Sequence, residues 1–485
     1  RIMSEPDADL RERHWQHFVD GAFLAGSSGE RLFERDPRTG ERSFSIARGN
    51  TRDVDLAAQA ARASQAAWRA LRPVERGRIL GRIAGVIREE ADLFVMVEQR
   101  ETGKPRGQAA GDVELAARYF EYYAGLVELA CGEVVGLGED YHSFTLHEPY
   151  GVVGIILPWN APINQAGRGI APALAAGNAV VVKPSEFTSV SLLLLAELAT
   201  RRAGLPAGVL NVVTGTGPEV GAAIVSHRHV RKVAFTGSLR AAQEIGHIAA
   251  DRILPLSLEL GGKSPNLVFA DADRERALDG VVRGITLYAG QACSAGSRCL
   301  VERSILEPFV EGLRHRMAAL RVGPGDDDQI GPIITQAQHA KVTAIYHAAA
   351  GDSSGQFHAA PLPDHLQNCF VPPAIFVTET TDSTIASEEV FGPLLVVTPF
   401  DSEAEALRLA NASEYGLAAC IWTNNLKRAH RLAGAIEAGQ VYVNEYFAGG
   451  VETPFGGFKK SGYGREKGIE ALREYTQVKC VTMRL

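Results

Sequence analysis

Val152-Val-Gly-Ile-Ile-Leu157 and Val180-Val-Val-Lys183 are two short apolar runs, with a helical pattern from Pro162 to Ala175 between them. Strands that are apolar on both faces and separated by a helix belong to a parallel sheet covered by helices. The pattern goes on. Val209 to Val213 and Val233 to Thr236 read as further strands, and Ser189 to Ala203, Val220 to Ser226 and Arg240 to Ala250 as the helices between them. This alternation predicts a doubly wound α/β sheet.

Working upstream, the residues up to about Arg52 are rich in turn formers and hold few periodic stretches. Val54 to Ala70 reads as an alanine-rich helix broken by Pro73, followed by one helix over Arg76 to Arg100 and a third over Val113 to Leu129. The aromatics Tyr119, Phe120, Tyr122 and Tyr123 of the third are expected in core packing. Tyr141 to His147 alternates as a strand does, and so does Gln477 to Met483 at the other end of the chain. Two isolated strands of this kind imply a sheet completed by a second subunit.

Downstream of Leu260 a second α/β unit is expected, with strands at Asn266 to Phe269, Leu300 to Val301, Leu394 to Thr398 and Val441 to Asn444. Helices are expected from there toward Gly290 and over Leu306 to Leu320. Ala349 to Cys369, rich in Gly, Ser, His and Pro, reads as an exposed connection.

A chain of 485 residues is too long for one core, so two or three domains are expected. Its 46% apolar and 22% charged residues are ordinary for a globular protein. A formal charge of -7 supplies no attraction for nucleic acid or anionic membrane. No apolar run is long enough to span a bilayer. The six cysteines are scattered without metal-ligand spacing and no secretory segment precedes them, so reduced thiols, no metal and a cytoplasmic location are expected. Arg1-Ile-Met3 reads as a remnant ahead of a natural start.

The chemistry is concentrated in Gly290-Gln-Ala-Cys293-Ser-Ala-Gly-Ser-Arg298, where small residues and two glycines let the backbone come close to whatever the sulfur attacks. By itself Cys293 reads more often as a small buried hydrophobe. Its company decides otherwise. Pro158-Trp-Asn160, Phe235-Thr-Gly-Ser238, Leu258-Glu259-Leu-Gly-Gly-Lys-Ser-Pro265, Glu388-Glu-Val-Phe391-Gly-Pro393 and Pro454-Phe-Gly-Gly457 occur in this order. Together they resemble the NAD(P)-dependent aldehyde dehydrogenase superfamily, from about Asp20 to the C-terminus.

That resemblance implies three units. An NAD-binding domain would take residues 1–130 and 149–258, a catalytic domain 259–465, and a small oligomerisation domain 131–148 and 466–485. A homodimer or a tetramer made of two dimers would follow.

It also implies that Cys293 adds to the aldehyde and that the Cys293 N–H and Asn160 side chain hold the oxyanion. Glu259 then deprotonates the water that releases the acid. The glutamate implies hydrolysis rather than transfer to coenzyme A. Asn160 could equally serve as a helix cap ahead of Pro162.

Gly215-Thr-Gly217-Pro-Glu-Val-Gly221 is close to a dinucleotide fingerprint but has one residue too many before its third glycine. The resemblance instead puts the cofactor diphosphate at Phe235, Gly237 and Ser238, on a helix N-terminus. Leu157, Pro158, Trp159, Gly217 and Leu260 are expected around the cofactor. Lys183, Ser185 and Glu186 would hold the adenosine ribose, and Glu186 would repel a 2′-phosphate, which favours NAD over NADP. Glu389 and Phe391 would hold the nicotinamide end, with Gln338 and Lys341 nearby.

Asn160, Asn164 and Arg168 recur every fourth residue on the expected helix and would form a polar stripe along the aldehyde tunnel. Gly449 stands where relatives often carry a bulky ring, and Phe455 keeps part of the pocket aromatic. The family's usual lysine is replaced by Gly169, with Arg168 beside it, which puts a proton relay through Glu466 in doubt. Arg168 also looks like the benzaldehyde, salicylaldehyde and vanillin dehydrogenases, favouring an aromatic aldehyde, with an aliphatic aldehyde or a semialdehyde oxidised by the same mechanism as the alternative; pairing of Arg168 with Glu466 is the stronger alternative to direct contact. A non-catalytic scaffold and an NAD-independent thiol hydrolase are the rival readings. The first conflicts with the presence of Cys293, Asn160 and Glu259, and the second leaves the cofactor motifs unexplained.

Overall fold

The computed structural model describes residues 10, 12–366 and 369–485, so the Arg1-Ile-Met3 reading lies outside it. Two large sheets organise the chain. The first has Val152–Ile156 at its centre, with Ala179–Lys183 and Leu210–Val212 on one side and Val230–Thr236 and Leu256–Glu259 on the other, all parallel. The strand order reverses next to Val152–Ile156, and open α/β sheets bind ligands at such a point. Gly462–Tyr463, expected in the second unit, instead adds antiparallel to Leu256–Glu259 at the edge of the first sheet.

The second sheet sets Ala374–Thr378, Leu394–Phe400, Arg298–Glu302, Pro265–Val268, Ala418–Trp422 and Gln440–Val443 in parallel order. Its far edge is Gly355–Ala359, antiparallel to Ala374–Thr378. That stretch was expected to be an exposed connection. Its glycine and histidine hide a strand that Phe357 anchors edge-on against Tyr346, with ring centres 5.5 Å apart.

Two other local expectations change. The N-terminal region is not simply turns. Short strands from His14–Trp15 to Arg42–Ala47 bury Trp15, Phe18, Phe44 and Ile46, apolar residues too widely spaced to show a period. The helix expected over Arg76 to Arg100 is two, Pro73–Glu89 and Ala91–Thr102, because Glu90 leaves helical geometry (φ -105°, ψ 22°). The second ends at Gly103 in left-handed conformation, an ordinary helix terminator.

Thr51–Ala70 starts from a capping box in which Asn50 and Asp53 exchange hydrogen bonds with each other's backbone. Trp68 at its far end is buried and donates from Nε1 to the Leu174 carbonyl at 3.1 Å. This fastens the outer helices to Pro162–Ala175, the helix that carries Arg168. Finally, Thr476–Arg484 pairs antiparallel with Tyr141–Pro149 along their full length, with Val134–Val135 at the outer edge. Val134, Leu146, Val478 and Met483 of this small sheet remain exposed.

Candidate active site

The loops that follow Val152–Ile156 and Val230–Thr236 flank a cavity of about 230 Å³ at the reversal point. Its lining brings together Pro158, Trp159, Asn160, Gly237, Ser238, Glu259, Leu260, Cys293, Gln338, Lys341, Glu389 and Phe391, residues up to 233 positions apart in the chain. Gln165 joins them, a residue that no motif or spacing singles out.

Cys293 sits behind a run of left-handed residues, Tyr288 (φ 53°), Ala289 (φ 55°) and Gly290 (φ 73°). Such geometry costs about 1–3 kcal/mol for each non-glycine residue and persists only where the surroundings enforce it. Gly290 cannot be replaced, since a Cβ there would lie 2.3 Å from the Gly392 carbonyl. Burial pushes the Cys293 thiol up to about 12, with the Arg168 charge pulling it down and Glu259, Glu389 and Glu466 adding to the rise. Its proton must therefore leave before the sulfur can add.

Glu259 ends the strand Leu256–Glu259, where its carbonyl accepts the Gly237 N–H at 3.0 Å. Both carboxyl oxygens are buried without a hydrogen-bond partner. Burial, and then Glu466, hold this group well above the ordinary carboxylate range against the opposing charges of Arg168 and Arg465. Asn160 is buried; its Nδ2 donates to the Gln291 carbonyl at 2.9 Å while Oδ1 has no partner. An amide nitrogen carries two hydrogens, so one remains for another acceptor.

Glu389 accepts the Gly262 N–H at 3.0 Å, and a Cβ on Gly261 would stand 2.2 Å from its carboxylate. The glycine pair after Glu259 thus makes room for that side chain. Burial raises Glu389 to about 7 despite the Gly262 bond and the neighbouring Lys341 and Lys263. Phe391, itself left-handed (φ 55°), meets Trp159 edge to face at 5.3 Å, and Gln338 fixes its carbonyl at 3.0 Å. Lys341 donates to the Glu389 carbonyl at 3.4 Å.

Other expected cofactor residues lie beyond this lining. Lys183 is buried at the carboxyl end of its strand and donates to the Pro184 carbonyl at 2.6 Å and to Glu186 at 3.4 Å. Burial lowers its ammonium pKa and Glu186 opposes that shift. The Lys183 carbonyl accepts the Leu157 N–H, and the Ser185 hydroxyl accepts the Phe187 N–H. Phe235 is buried in its strand, whereas Ser238, in the lining, caps Leu239–Ala250 by accepting the Ala241 N–H at 3.3 Å. Gly217 opens a π-helical turn, Gly217–Gly221, which accounts for the extra residue in the glycine motif.

Of the expected polar stripe only Asn160 lines this cavity. Asn164 donates to Asp112 at 2.8 Å, and Arg168, buried, pairs with Glu466 and lies over the Phe455 ring. Phe455 and Glu466 are also joined by backbone hydrogen bonds in both directions. Gly449 is exposed and left-handed (φ 99°), and a Cβ there would press on Thr453 at 2.8 Å.

Architecture and site together define an α/β protein in which a cysteine, a buried carboxyl and an amide share the crevice of a doubly wound sheet. Residues 23–481 match the model of the aldehyde dehydrogenase family, and the chain belongs to that family. It is 42% identical over 468 residues to a betaine aldehyde dehydrogenase of Cereibacter sphaeroides, covering 96% of each chain. Among solved structures it is similar to an indole-3-acetaldehyde dehydrogenase of P. syringae in complex with NAD+ and IAA (35% identity, TM-score 0.96, 99% and 98% of the two chains). An aldehyde dehydrogenase from Bacillus cereus in its NAD+ complex matches at 37% identity and TM-score 0.96, again over 99% and 98%.

Proposed function

We propose that this chain oxidises an aldehyde to its carboxylic acid with NAD+ and water. The observation that carries the reading is the convergence of Cys293, Glu259 and Asn160 on one cavity, beside the capped N-terminus of Leu239–Ala250. A helix N-terminus suits a diphosphate, and the Trp159–Phe391 edge, Gln338 and Glu389 suit a ribose and a flat ring. Lys183 and Glu186 suit the far ribose, and the carboxylate there favours NAD over NADP. Bound NAD+ supplies the acceptor for a hydride.

The chain's own groups do the rest. The Cys293 proton leaves to solvent, and the sulfur adds to the carbonyl carbon. The negative oxygen so formed is held by the Cys293 N–H and the second Asn160 N–H. After the substrate carbon has lost its hydride, the acyl group is a thioester on Cys293. Glu259 then takes a proton from water, the hydroxide adds to the acyl carbon, and the thiolate leaves with the C–S electron pair. Cys293→Ala tests this reading: the variant is expected to bind NAD+ and form no NADH with aldehyde, and near-parental turnover overturns it.

The substrate we favour is an aromatic aldehyde. Phe455, buried beneath the Arg168 guanidinium at 4.8 Å, supports this, as does the structural relative named for an indole aldehyde. Comparing kcat/KM for benzaldehydes, a short alkanal and betaine aldehyde decides it. We further propose that residues 1–130 and 149–258 serve the cofactor, 259–465 the chemistry, and 131–148 with 466–485 a cytoplasmic homo-oligomer. The exposed apolar side chains on the small sheet support the last assignment.

A further inference from the structure

Three side chains that take no part in this chemistry close a buried circuit around it. Lys104 donates from Nζ to Asp112 Oδ2 at 2.5 Å and to the Asn160 carbonyl at 3.0 Å. The other oxygen of Asp112 accepts the Tyr288 hydroxyl at 2.6 Å, and the Lys104 ammonium lies 4.3 Å from the centre of the Tyr288 ring. The Tyr288 carbonyl accepts Gln291 Nε2 at 2.9 Å, and the Gln291 carbonyl accepts Asn160 Nδ2 at 2.9 Å, which closes the ring. Lys104 and Asp112 are both buried.

The circuit crosses from the layer that carries Asn160 to the turn that carries Cys293, and Tyr288 is the first left-handed residue of that turn. A bulky residue does not hold that backbone unaided. A buried ion pair adds little net stability over a packed apolar pair, but it fixes direction and distance. We propose that Lys104, Asp112 and Tyr288 are positioning residues that hold the Cys293 turn at a set distance from the Asn160 amide. The inference rests on the roles assigned above to Cys293 and Asn160.

The test uses the full-length protein and its single-turnover rate of NADH formation, scaled to the number of titrated active sites. Tyr288→Phe removes one hydroxyl and leaves the charge pair in place, so a folded protein is expected. Asp112→Asn removes the acceptor charge. Each is expected to slow the step by roughly 10- to 100-fold, the scale of a small misplacement of reacting groups, with the KM for NAD+ within about twofold. The double variant should be about as slow as the worse single one, because both open the same circuit. A purely structural role would lower the number of active sites and leave the rate per site unchanged, and that result overturns the proposal. So do additive effects. Cys293→Ala and Asn160→Ala run alongside: if they retain activity the underlying assignment has failed, whereas if they lose it and both circuit variants keep the parental rate, the circuit alone is wrong.

Discussion

Arg168 and Glu466 form a buried ion pair, and the guanidinium lies 4.8 Å over the Phe455 ring. Burial works against the Arg168 charge, yet Glu466 holds it above its ordinary range. Breaking one side leaves the other charge buried alone, a loss of about 3–5 kcal/mol.

Arg168→Leu is therefore expected to lower stability by that order and to reduce kcat/KM alike for plain, hydroxylated and carboxylated benzaldehydes and a short alkanal. Glu466→Gln in the same chain should restore much of the stability. Denaturant titration and the substrate panel check both parts; a loss confined to substituted rings would make Arg168 a substrate contact.

Glu259→Gln should form one equivalent of NADH and stall at the acyl stage, because an unpartnered buried carboxyl serves mainly as the base for water. Intact-mass spectrometry should find the adduct. Neither burst nor adduct would assign Glu259 to thiol activation. Asn160→Ala should slow the oxidation itself by about 10²- to 10³-fold, as removal of one oxyanion donor does.

Glu186, 3.4 Å from the buried Lys183 ammonium, is expected to exclude a 2′-phosphate. Glu186→Ser should weaken NAD+ and shift the preference ratio toward NADP+. An unchanged ratio would place Glu186 outside the cofactor site.

Glu34 offers a pH dependence away from the chemistry. It is buried and accepts the Ser189 N–H at 2.7 Å at the start of Val190–Arg201. Burial raises it from 4.5 to about 7, partly offset by that bond. A raised carboxyl stabilises the native state fully below its unfolded pKa, and the contribution fades as pH climbs through the folded one. Stability should thus fall as pH rises from about 4.5 to 7, and Glu34→Gln should flatten that slope in urea titrations. An unaltered slope would assign the dependence to other groups.

The parallel sheet of Val152–Ile156 and its neighbours was legible because strands buried on both faces must be continuously apolar. Pro162 to Ala175 was legible in the same way, with Pro162 at its first turn. Cys293 stood out because small residues and glycines flank it, and Glu259, Asn160 and Phe391 because the motifs around them resemble those of a known family.

What the local pattern could not carry was direction and partnership. Helical spacing put Asn164 and Arg168 in one stripe, but Asp112 and Glu466 turn their polar ends elsewhere. Lys104 follows the glycine that ends Ala91–Thr102, a place where a lysine is usually solvated. Asp112 and the Asn160 carbonyl, 8 and 56 positions further along, make its burial possible, with the Glu98 carboxyl 3.7 Å away. The chain by itself determined which residues could do chemistry and which runs could form a sheet, since those depend on residue type and short spacing. Tertiary structure decided which of them meet, since a buried charge or a left-handed tyrosine is tolerable only once its distant partners are in place.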